Sequence, residues 1–332
     1  MSTIKKLKLK LKSGLLSELQ SDTILGHFCW RMKEQLGDNK LAGFISLYQG
    51  NNPVFTLSDG ILEKDNIVFF KKPYINTEFK PETKSKKERI ANFLRQKEIK
   101  TRAYVTLEQL NLFLNGDLET YEKSFELPEI KTLSVPQLKQ DLRISVEIDR
   151  ETMSSKKERL FSYNPSYVED KDDNTFIVIF IKIIDEKKYY EFDCESILKS
   201  IFEVGFGKKK SSGYGQFEVI GEVEKFEGFK ELKDSTGFIT LGNLLKGKND
   251  NIENAYFEYN VKYGKLGEAY SRSENPFKKP IIFFTTGSCF CTSKGSEYYG
   301  RVTEDGEVSP ANNFVVQFGM PFTLNFSFID NN

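Results

Sequence analysis

The sequence predicts an α+β protein of two ferredoxin-like (RRM-like) units, of which the first carries a long insertion and a glycine-rich loop. Three observations lead to this prediction. Residues 1–225 read as strand, helix, inserted material, strand, helix, glycine-rich loop and strand, with the insertion at about residues 65–170. Residues 226–332 show only strand patterns, so the second unit is expected to be degenerate and β-rich. The length of 332 residues is sufficient for two domains.

A strand and a helix open the first unit. Residues 4–12 alternate Lys with Leu in their later part, and this period of two is typical of a half-buried strand. Ser21-Asp22-Thr23 is a helix-start signal in which Asp22 is the expected cap, and Gly37 is the expected stop. Between these signals one helical stripe is apolar, formed by Ile24, Leu25, Phe28, Cys29, Met32 and Leu36.

The next region is predicted to be irregular. Residues 41–75 indicate short strands and loops, with turns at 50–53 and 58–60, where Asp59 is the expected turn residue. Residues 80–102 hold nine Lys or Arg against three acids, which predicts a solvated insertion with one short helix around Ile90, Phe93 and Leu94. A further helix is expected to start at Thr106 and end before Gly116.

The second half of the first unit surrounds the glycine-rich loop. Residues 176–184 are continuously apolar, as in a central strand, and a helix with Asp193 as its cap is expected to follow. Residues 205–215 form the loop, and 216–223 predict the closing strand. Beyond Phe226 the expected strands lie at residues 238–241, 255–263, 280–286, 314–318 and 321–329.

Composition limits the possible classes of function. Lys plus Arg and Asp plus Glu are both 48, so nucleic acid would have to bind a local patch from which acids are missing. No segment approaches the roughly 20 apolar residues of a membrane span, and residues 1–12 lack the apolar core of a signal peptide. Because the four cysteines are scattered and no export signal is visible, we expect reduced thiols in a cytoplasmic protein. The lack of an apolar span leads us to expect no membrane partner.

The glycine-rich loop has the composition of a phosphate site. It supplies glycines and serines whose backbone amides can approach a ligand, three adjacent lysines and no acid. A nucleotide-binding P-loop would follow a strand and open a helix, whereas this loop follows a helix and precedes a strand. A flexible hairpin without a ligand is the remaining alternative. The candidate residues are Gly205, Gly207, Lys208, Lys209, Lys210, Ser211, Ser212, Gly213, Tyr214 and Gly215.

Candidates for catalysis or metal binding are few. His27 is the only histidine, and it lies beside the edge of the helical stripe, where an exposed or RNA-contacting side chain is expected. Cys289 and Cys291 lack the partners of a zinc site and are expected to be small buried residues. The sequence therefore predicts a protein that is not an enzyme, with no catalytic residue, no metal and no cofactor.

Several segments resemble a known family. The loop before the last strand resembles that of the RAMP superfamily of CRISPR proteins, and residues 21–26 resemble the first helix of that superfamily. Residues 55–60, the Ile148-Asp149-Arg150 element with residues 159–161, residues 287–290 and residues 318–322 resemble, in order, segments of the fourth subunit of the type III-A CRISPR effector, the Csm complex. A His that often precedes the Ile-Asp-Arg element in that family is absent here.

The resemblance implies a function that composition does not. It implies a subunit that holds the 5′ repeat-derived tag of CRISPR RNA (crRNA), anchors the large polymerase-like subunit and contacts the backbone RAMP subunit of the filament. Arg150, with Arg143 and Arg159 beside it, becomes a candidate RNA contact, because arginine binds phosphates bidentately and stacks on bases.

Two alternatives remain open from the sequence. A related branch of the superfamily processes CRISPR RNA precursors, often with a His as general acid or base, so His27 keeps an endoribonuclease possible. A protein adaptor without any RNA contact is the other alternative.

Overall fold

The computed structural model describes residues 2–74, 85–169, 174–232, 235–267, 270, 272–309 and 314–327, without the side chains of residues 88, 92, 95, 157 and 158. In this part of the chain no helix has both the length and the apolar character needed to cross a membrane. Helices and antiparallel sheets are both present, so the predicted α+β class is confirmed.

The α-helices of the described residues all precede the glycine-rich loop. They are α1 (Ser21–Leu36), α2 (Asp38–Gln49), α3 (Lys86–Thr101), α4 (Leu107–Leu114), α5 (Leu118–Ser124), α6 (Pro128–Lys131), α7 (Glu186–Glu191) and α8 (Cys194–Val204).

The strands fall into two series, one on each side of residue 226. The first series is β1 (Thr3–Leu11), β2 (Phe55–Leu57), β3 (Ile61–Lys64), β4 (Ile67–Lys71), β5 (Tyr104–Val105), β6 (Leu138–Gln140), β7 (Arg143–Ile148), β8 (Ser155–Tyr163), β9 (Ser166–Val168), β10 (Thr175–Ile183), β11 (Phe217–Val219) and β12 (Glu224–Lys225). The second is β13 (Gly237–Thr240), β14 (Ile252–Tyr256), β15 (Tyr259–Lys262), β16 (Ile281–Phe284), β17 (Cys289–Thr292), β18 (Arg301–Val302), β19 (Phe318–Gly319) and β20 (Thr323–Phe326).

The largest sheet is antiparallel and has β10 near its centre. Its strand order is β11–β1–β10–β3–β4–β5, with β2 also paired to β10 and β12 also paired to β1. In the β1–β10 register Leu7 lies opposite Ile179 and Leu9 opposite Ile177. The sequence of β10, apolar from Phe176 to Ile181, suits this place because both faces of the strand are covered.

The two faces of β10 belong to two different cores. Ile177, Ile179 and Ile181 pack in one apolar cluster with residues of α1, α2 and α8. Val178 and Phe180 point the other way and join a cluster with residues of α4, β13 and β20. The sheet is therefore a middle layer, with α1, α2 and α8 on one face and α4 with strands of the β-rich second half on the other.

The second half of the chain builds a smaller sheet. Its strand order is β14–β17–β13–β20, and β15–β16 and β18–β19 form separate two-stranded ladders. Phe238 and Phe290, on neighbouring strands, stack with their ring centroids 4.8 Å apart. No α-helix lies within the described residues beyond 226, so the expectation of a β-rich second half is confirmed.

The insertion contributes helices, a two-stranded ladder and a hairpin. Strands β7 and β8 pair with each other alone in a long hairpin, and β6 pairs with β9. Leu15 also pairs with Ser166, the first residue of β9, which attaches the insertion to the chain before α1. The glycine-rich loop leads from α8 to β11, in the predicted position.

The prediction for the start of residues 41–75 was wrong: residues 41–49 belong to helix α2, where we expected short strands and loops. Phe44 and Tyr48 lie one turn apart and are buried, with Phe44 5.1 Å from Phe28 of α1 between ring centroids. Aromatic residues and an internal glycine weaken the helical pattern in the sequence, and packing against α1 overrides that weak propensity.

The charged stretch also differs from its prediction. Helix α3 covers 16 residues rather than a short segment. Its expected apolar stripe, Ile90, Phe93 and Leu94, is exposed, whereas Ile99 is buried. Residues 80–84, which the prediction included, lie outside the described residues.

Several strand predictions also had incorrect bounds. Residues 255–263 divide between β14 and β15, and the strand expected at 216–223 is limited to β11. Of residues 314–318, only Phe318 lies in a strand.

Candidate nucleic-acid interface

The glycine-rich loop is a series of tight turns. Gly205, Gly207, Gly213 and Gly215 all have positive φ, and so does Lys209 at 57°. At Gly215 the requirement for glycine is steric as well, because a Cβ atom there would lie 1.9 Å from the carbonyl oxygen of Phe206. The loop therefore has one compact path that another residue at 215 would disturb.

The loop is tied to the body of the protein at its base. The Phe206 side chain is fully buried, and its amide donates to the Gly215 carbonyl at 2.8 Å. The amides of Gly215 and Gln216 donate to the Gly14 carbonyl (2.9 Å) and the Ser13 hydroxyl (2.9 Å). The loop thus packs on the turn that follows β1.

Two further amides of the loop are also occupied. The Lys208 amide donates to the Ser17 hydroxyl at 3.0 Å, and the Gly207 amide donates to Nε2 of His27 at 3.3 Å. The amides of Phe206, Gly207 and Lys208 therefore serve the fold, contrary to the expectation that the loop would present many amides to a ligand. Serine and histidine acceptors close to these amides make the internal bonds possible.

The lysine side chains remain as the accessible cations of the loop. Lys208 and Lys209 are exposed and Lys210 is half-buried. The Lys209 ammonium lies 3.5 Å from the ring centroid of Tyr163, a cation–π contact. Phosphate binding would rest on these side chains more than on backbone amides.

His27 supports the loop from α1. Its ring packs on Phe206 at a 45° tilt with 4.6 Å between centroids, and Nε2 accepts the Gly207 amide. An imidazole nitrogen that accepts an N–H must carry a lone pair, so the structure fits the neutral tautomer with the proton on Nδ1. This contact gives His27 a positioning role in the loop.

The β7–β8 hairpin begins beside the loop. Tyr163, the last residue of β8, meets the Tyr214 ring edge-on at 5.7 Å, and its hydroxyl accepts from Ser145 and Tyr214, each at 3.3 Å. These hydrogen bonds, with that from Ser145 first, lower the pKa of the Tyr163 phenol. The hairpin base and the loop therefore form one continuous surface.

The three predicted arginines lie at different points of the hairpin. Arg143 is opposite Tyr163 and pairs with Asp141 at 2.8 Å, so the structure brings it to the loop. Asp141 raises the pKa of the Arg143 guanidinium further. Arg159 lies farther along β8, 4.0 Å from Glu147. Arg150 is in the turn at the far end, roughly 20 Å along a six-residue strand.

Sequence reasoning missed Ser17 and Tyr163. Both contact the loop from segments that are distant in sequence, and neither belongs to a recognisable pattern. No local signal could have identified them. Within the described residues, no group of three or more His, Cys, Asp and Glu side chains could hold a metal ion.

Comparison with known proteins relates the fold to solved structures. No family model matches the sequence, and no curated protein matches it. A chain of the Csm3-Csm4 subcomplex in the type III-A CRISPR-Cas interference complex matches with a TM-score of 0.64 at 17% identity, covering 98% of this chain and 100% of that one. The chain has the fold of a type III-A CRISPR subunit.

A chain of the Csm1-Csm4 cassette in complex with cA4 gives a TM-score of 0.58 at 13% identity, over 98% of this chain and 100% of that chain. The cassette in complex with pppApA gives 0.55 at 13% identity, with both chains fully covered. The type III-A CRISPR fold that the sequence resemblance implied is thus confirmed over the length of the chain. At these identities the likeness establishes fold alone.

Three of the resembling segments meet in the type III-A fold at the start of α1. The Asp59 carboxylate accepts the Ser21 amide at 2.7 Å and the Thr286 hydroxyl at 2.5 Å. Gly242 leaves room there, because a Cβ atom on it would lie 3.0 Å from Pro321. These segments therefore build a junction between the two halves of the chain, whereas the Arg150 element lies on the hairpin.

Asp22 lies at the same junction, where its side chain is bonded to the second half of the chain. The Lys262 ammonium donates to both oxygens of the buried Asp22 carboxylate, at 2.6 and 2.7 Å. The side-chain amides of Asn243 and Gln317 donate to the same carboxylate. The cap of α1 is supplied by Asp59 rather than by Asp22, contrary to the sequence prediction. A cap from a distant segment has no local sequence signal.

Proposed function

We propose that this chain is a non-catalytic RNA-binding subunit of a type III-A CRISPR interference complex. It holds the 5′ repeat-derived tag of crRNA, anchors the large polymerase-like subunit and contacts the backbone RAMP subunit. The proposal is supported by the fold that it shares with chains of the Csm3-Csm4 and Csm1-Csm4 assemblies and by the residues that carry the sequence resemblance. The chain is expected to act in the cytoplasm and to need no cofactor of its own.

The observation that carries the RNA-binding role is the lysine-bearing loop on a fixed base. Lys208, Lys209 and Lys210 extend from a loop that is held by its own turns and by hydrogen bonds to residues 13–17 and His27, so little ordering remains to be done when a phosphate chain binds. Arg143 extends the same positive surface, and Arg150 and Arg159 continue it along the hairpin. Charge-assisted hydrogen bonds of this kind contribute about 1.5–3 kcal/mol each.

We further propose that the two halves, residues 1–225 and 226–332, are two ferredoxin-like units. The order β11–β1–β10–β3, with α1 and α8 in the layer on one face, supports this assignment for the first unit. In the second unit β14–β17–β13–β20 is a four-stranded antiparallel sheet without described helices, as a degenerate copy would be.

The test uses the complex assembled on its guide RNA. Lys208→Ala/Lys209→Ala/Lys210→Ala should reduce ultraviolet crosslinking of this subunit to the 5′ tag about tenfold or more, because three phosphate contacts are lost. A matched triple variant, Lys187→Ala/Lys248→Ala/Lys294→Ala, removes three exposed lysines elsewhere and should leave crosslinking unchanged. Both variants should unfold at the wild-type temperature.

The alternatives give different results in the same preparation. A protein adaptor predicts unchanged crosslinking in the loop variant while the partner subunits still assemble. An endoribonuclease predicts that the isolated chain cleaves repeat RNA and that His27→Ala stops cleavage. Nε2 of His27 already accepts the Gly207 amide, so we expect no cleavage and a less ordered loop in that variant.

A further inference from the structure

Helix α3 carries an exposed apolar stripe. Ile90, Phe93 and Leu94, which we call the α3 stripe, occupy helix positions i, i+3 and i+4 and therefore lie on one face. Their side chains are 53%, 68% and 59% exposed, respectively. Single apolar side chains are normal on a protein surface, whereas three adjacent ones of this size indicate a site of interaction.

The α3 stripe faces away from the body of the protein. An α-helix turns by about 100° per residue, so Ile99, which follows Ile90 by nine residues, lies on the opposite side. Ile99 is buried in the cluster that contains residues of β4 and α4. The Gln96 side chain donates to Glu122 at 3.2 Å, close to the same end of α3. The last turns of the helix therefore attach it to the protein and direct the stripe outward.

Cations border the α3 stripe. Lys86, Lys87 and Lys97 lie on the same half of the helix circumference as the stripe, and all three are exposed. Within the part of the chain that the structure describes, no carboxylate oxygen is within 4 Å of their ammonium groups. Glu98 lies 3.8 Å from Arg102 instead. The exposed side of α3 is therefore an apolar surface with a positive border.

These two features favour a protein as the occupant. A helix that presents apolar side chains at i, i+3 and i+4 typically lays them in an apolar groove of another protein. The lysines at the border favour a groove whose rim carries Asp and Glu. RNA phosphates would bind the lysines, but Ile90 and Leu94 are aliphatic and give a base no ring on which to stack.

We propose that the α3 stripe docks in an apolar groove of a partner protein, with Lys86, Lys87 and Lys97 paired to acidic residues at the rim of that groove. The partner is the large polymerase-like subunit or the backbone subunit, so this inference rests on the proposed function. It adds the element of this chain that makes the contact and the chemistry that the partner's surface must offer.

The test measures binding of the full-length chain to the purified large subunit and, separately, to the purified backbone subunit by biolayer interferometry. Phe93→Gln/Leu94→Gln introduces residues that also favour a helix. It should weaken binding to one of the two subunits about thirtyfold or more, because buried apolar anchors dominate the affinity of an interface. The loss should appear mainly in the dissociation rate.

A second variant tests the positive border. Lys86→Gln/Lys87→Gln/Lys97→Gln keeps the α3 stripe intact. It should lower the association rate with the same subunit about tenfold at low salt, and the effect should disappear at high salt, because salt screens exposed charges. An association rate equal to that of the wild type at low salt would overturn the acidic rim.

Matched controls use exposed residues elsewhere. Tyr263→Gln removes an aromatic side chain that is 76% exposed, and Lys187→Gln/Lys248→Gln/Lys294→Gln removes three exposed lysines. Both should bind the subunits as the wild type does. The α3 variants should unfold at the wild-type temperature, because the substituted side chains are exposed. A lower unfolding temperature for Phe93→Gln/Leu94→Gln would show that the stripe packs within this chain and would overturn the proposal.

The remaining outcomes separate this inference from the proposed function. If the α3 variants bind both subunits as the wild type does while the loop variant loses crosslinking to the tag, the docking site is refuted and the RNA-binding function stands. If the wild type binds neither subunit, both fail. If the lysine variant of α3 loses crosslinking to crRNA while the apolar variant keeps both subunits, α3 contacts RNA and the protein assignment is wrong. If light scattering shows a wild-type dimer that Phe93→Gln/Leu94→Gln converts to a monomer, the occupant is a second copy and the assignment is also wrong.

Discussion

At the scale of single residues, the Asp59 carboxyl shows how one side chain is bound to the fold. It caps α1 by accepting the Ser21 amide, and it also accepts the Thr286 hydroxyl. Burial raises its pKa to about 6, although these two hydrogen bonds favour the charged form. Desolvation therefore outweighs the capping contacts, and the ionised group costs stability at neutral pH.

Because ionised Asp59 costs stability, the free energy of unfolding should depend on pH. Below about pH 4 the group is protonated in both the folded and the unfolded chain, so it costs nothing there. Between about pH 4 and 6 the wild type should lose about 3 kcal/mol of stability relative to Asp59→Asn, and the difference should stay constant above that range. Urea unfolding at several pH values measures it, with the exposed Asp38→Asn as control. A difference that does not vary with pH would contradict the prediction.

At the scale of elements, the glycine-rich loop depends on two kinds of glycine. Gly213 and Gly215 both have positive φ, but a Cβ on Gly213 would meet no atom within 4 Å, whereas one on Gly215 would overlap the Phe206 carbonyl. At Gly213 glycine is favoured only because φ is positive. At Gly215 glycine is also needed because the chain there lies against the backbone of Phe206.

The pair supplies its own matched control. Gly213→Ala should reduce the free energy of unfolding by about 1 kcal/mol, the cost of the left-handed region for a residue with a Cβ. Gly215→Ala should cost about 2 kcal/mol more and weaken RNA binding, because the loop must move away from Phe206. Thermal unfolding and RNA titration of both variants measure this. Equal effects of the two substitutions would show that the close approach is unimportant.

The elements also differ in how far their sequence determined them. Helix α4 was predicted from its start at Thr106 and the apolar stripe before Gly116, and in the structure Thr106 and Gln109 form a complete capping box there. Strand β10 was predicted because an apolar run of this length is typical of a central strand that is buried on both faces. Helix α2 was missed because its two buried aromatic residues become a helical face only when α1 is beside them.

At the scale of the whole molecule, the two halves are joined by a buried ion pair. Lys262 of β15 donates to both oxygens of Asp22 in α1, and the Asp22 side chain is 1% exposed. The side-chain amides of Asn243 and Gln317 also donate to the Asp22 carboxylate. The second half of the chain therefore neutralises a charge that the first half buries.

Removing the lysine should consequently affect the entire fold. Lys262→Met leaves the Asp22 carboxylate buried without its cation and should cost about 3 kcal/mol of stability. Lys123→Met, which breaks the exposed pair with Glu119, should cost less than about 0.5 kcal/mol. Chemical denaturation of both variants provides the comparison. A similar small loss in both would mean that Asn243 and Gln317 alone satisfy Asp22.

The sequence by itself determined the succession of β1, α1, β10, α8 and β11, the place of the glycine-rich loop and the local acid-free patch of Lys208 to Lys210, because these depend on neighbours in the chain. Only the tertiary structure decided which loop amides are occupied, that His27 and Ser17 hold the loop, and that Tyr163 and Arg143 lie beside it. It alone decided that Ile99 of α3, rather than the α3 stripe, packs in a core. Such contacts join segments far apart in sequence, and they form only where packing of the two cores places them.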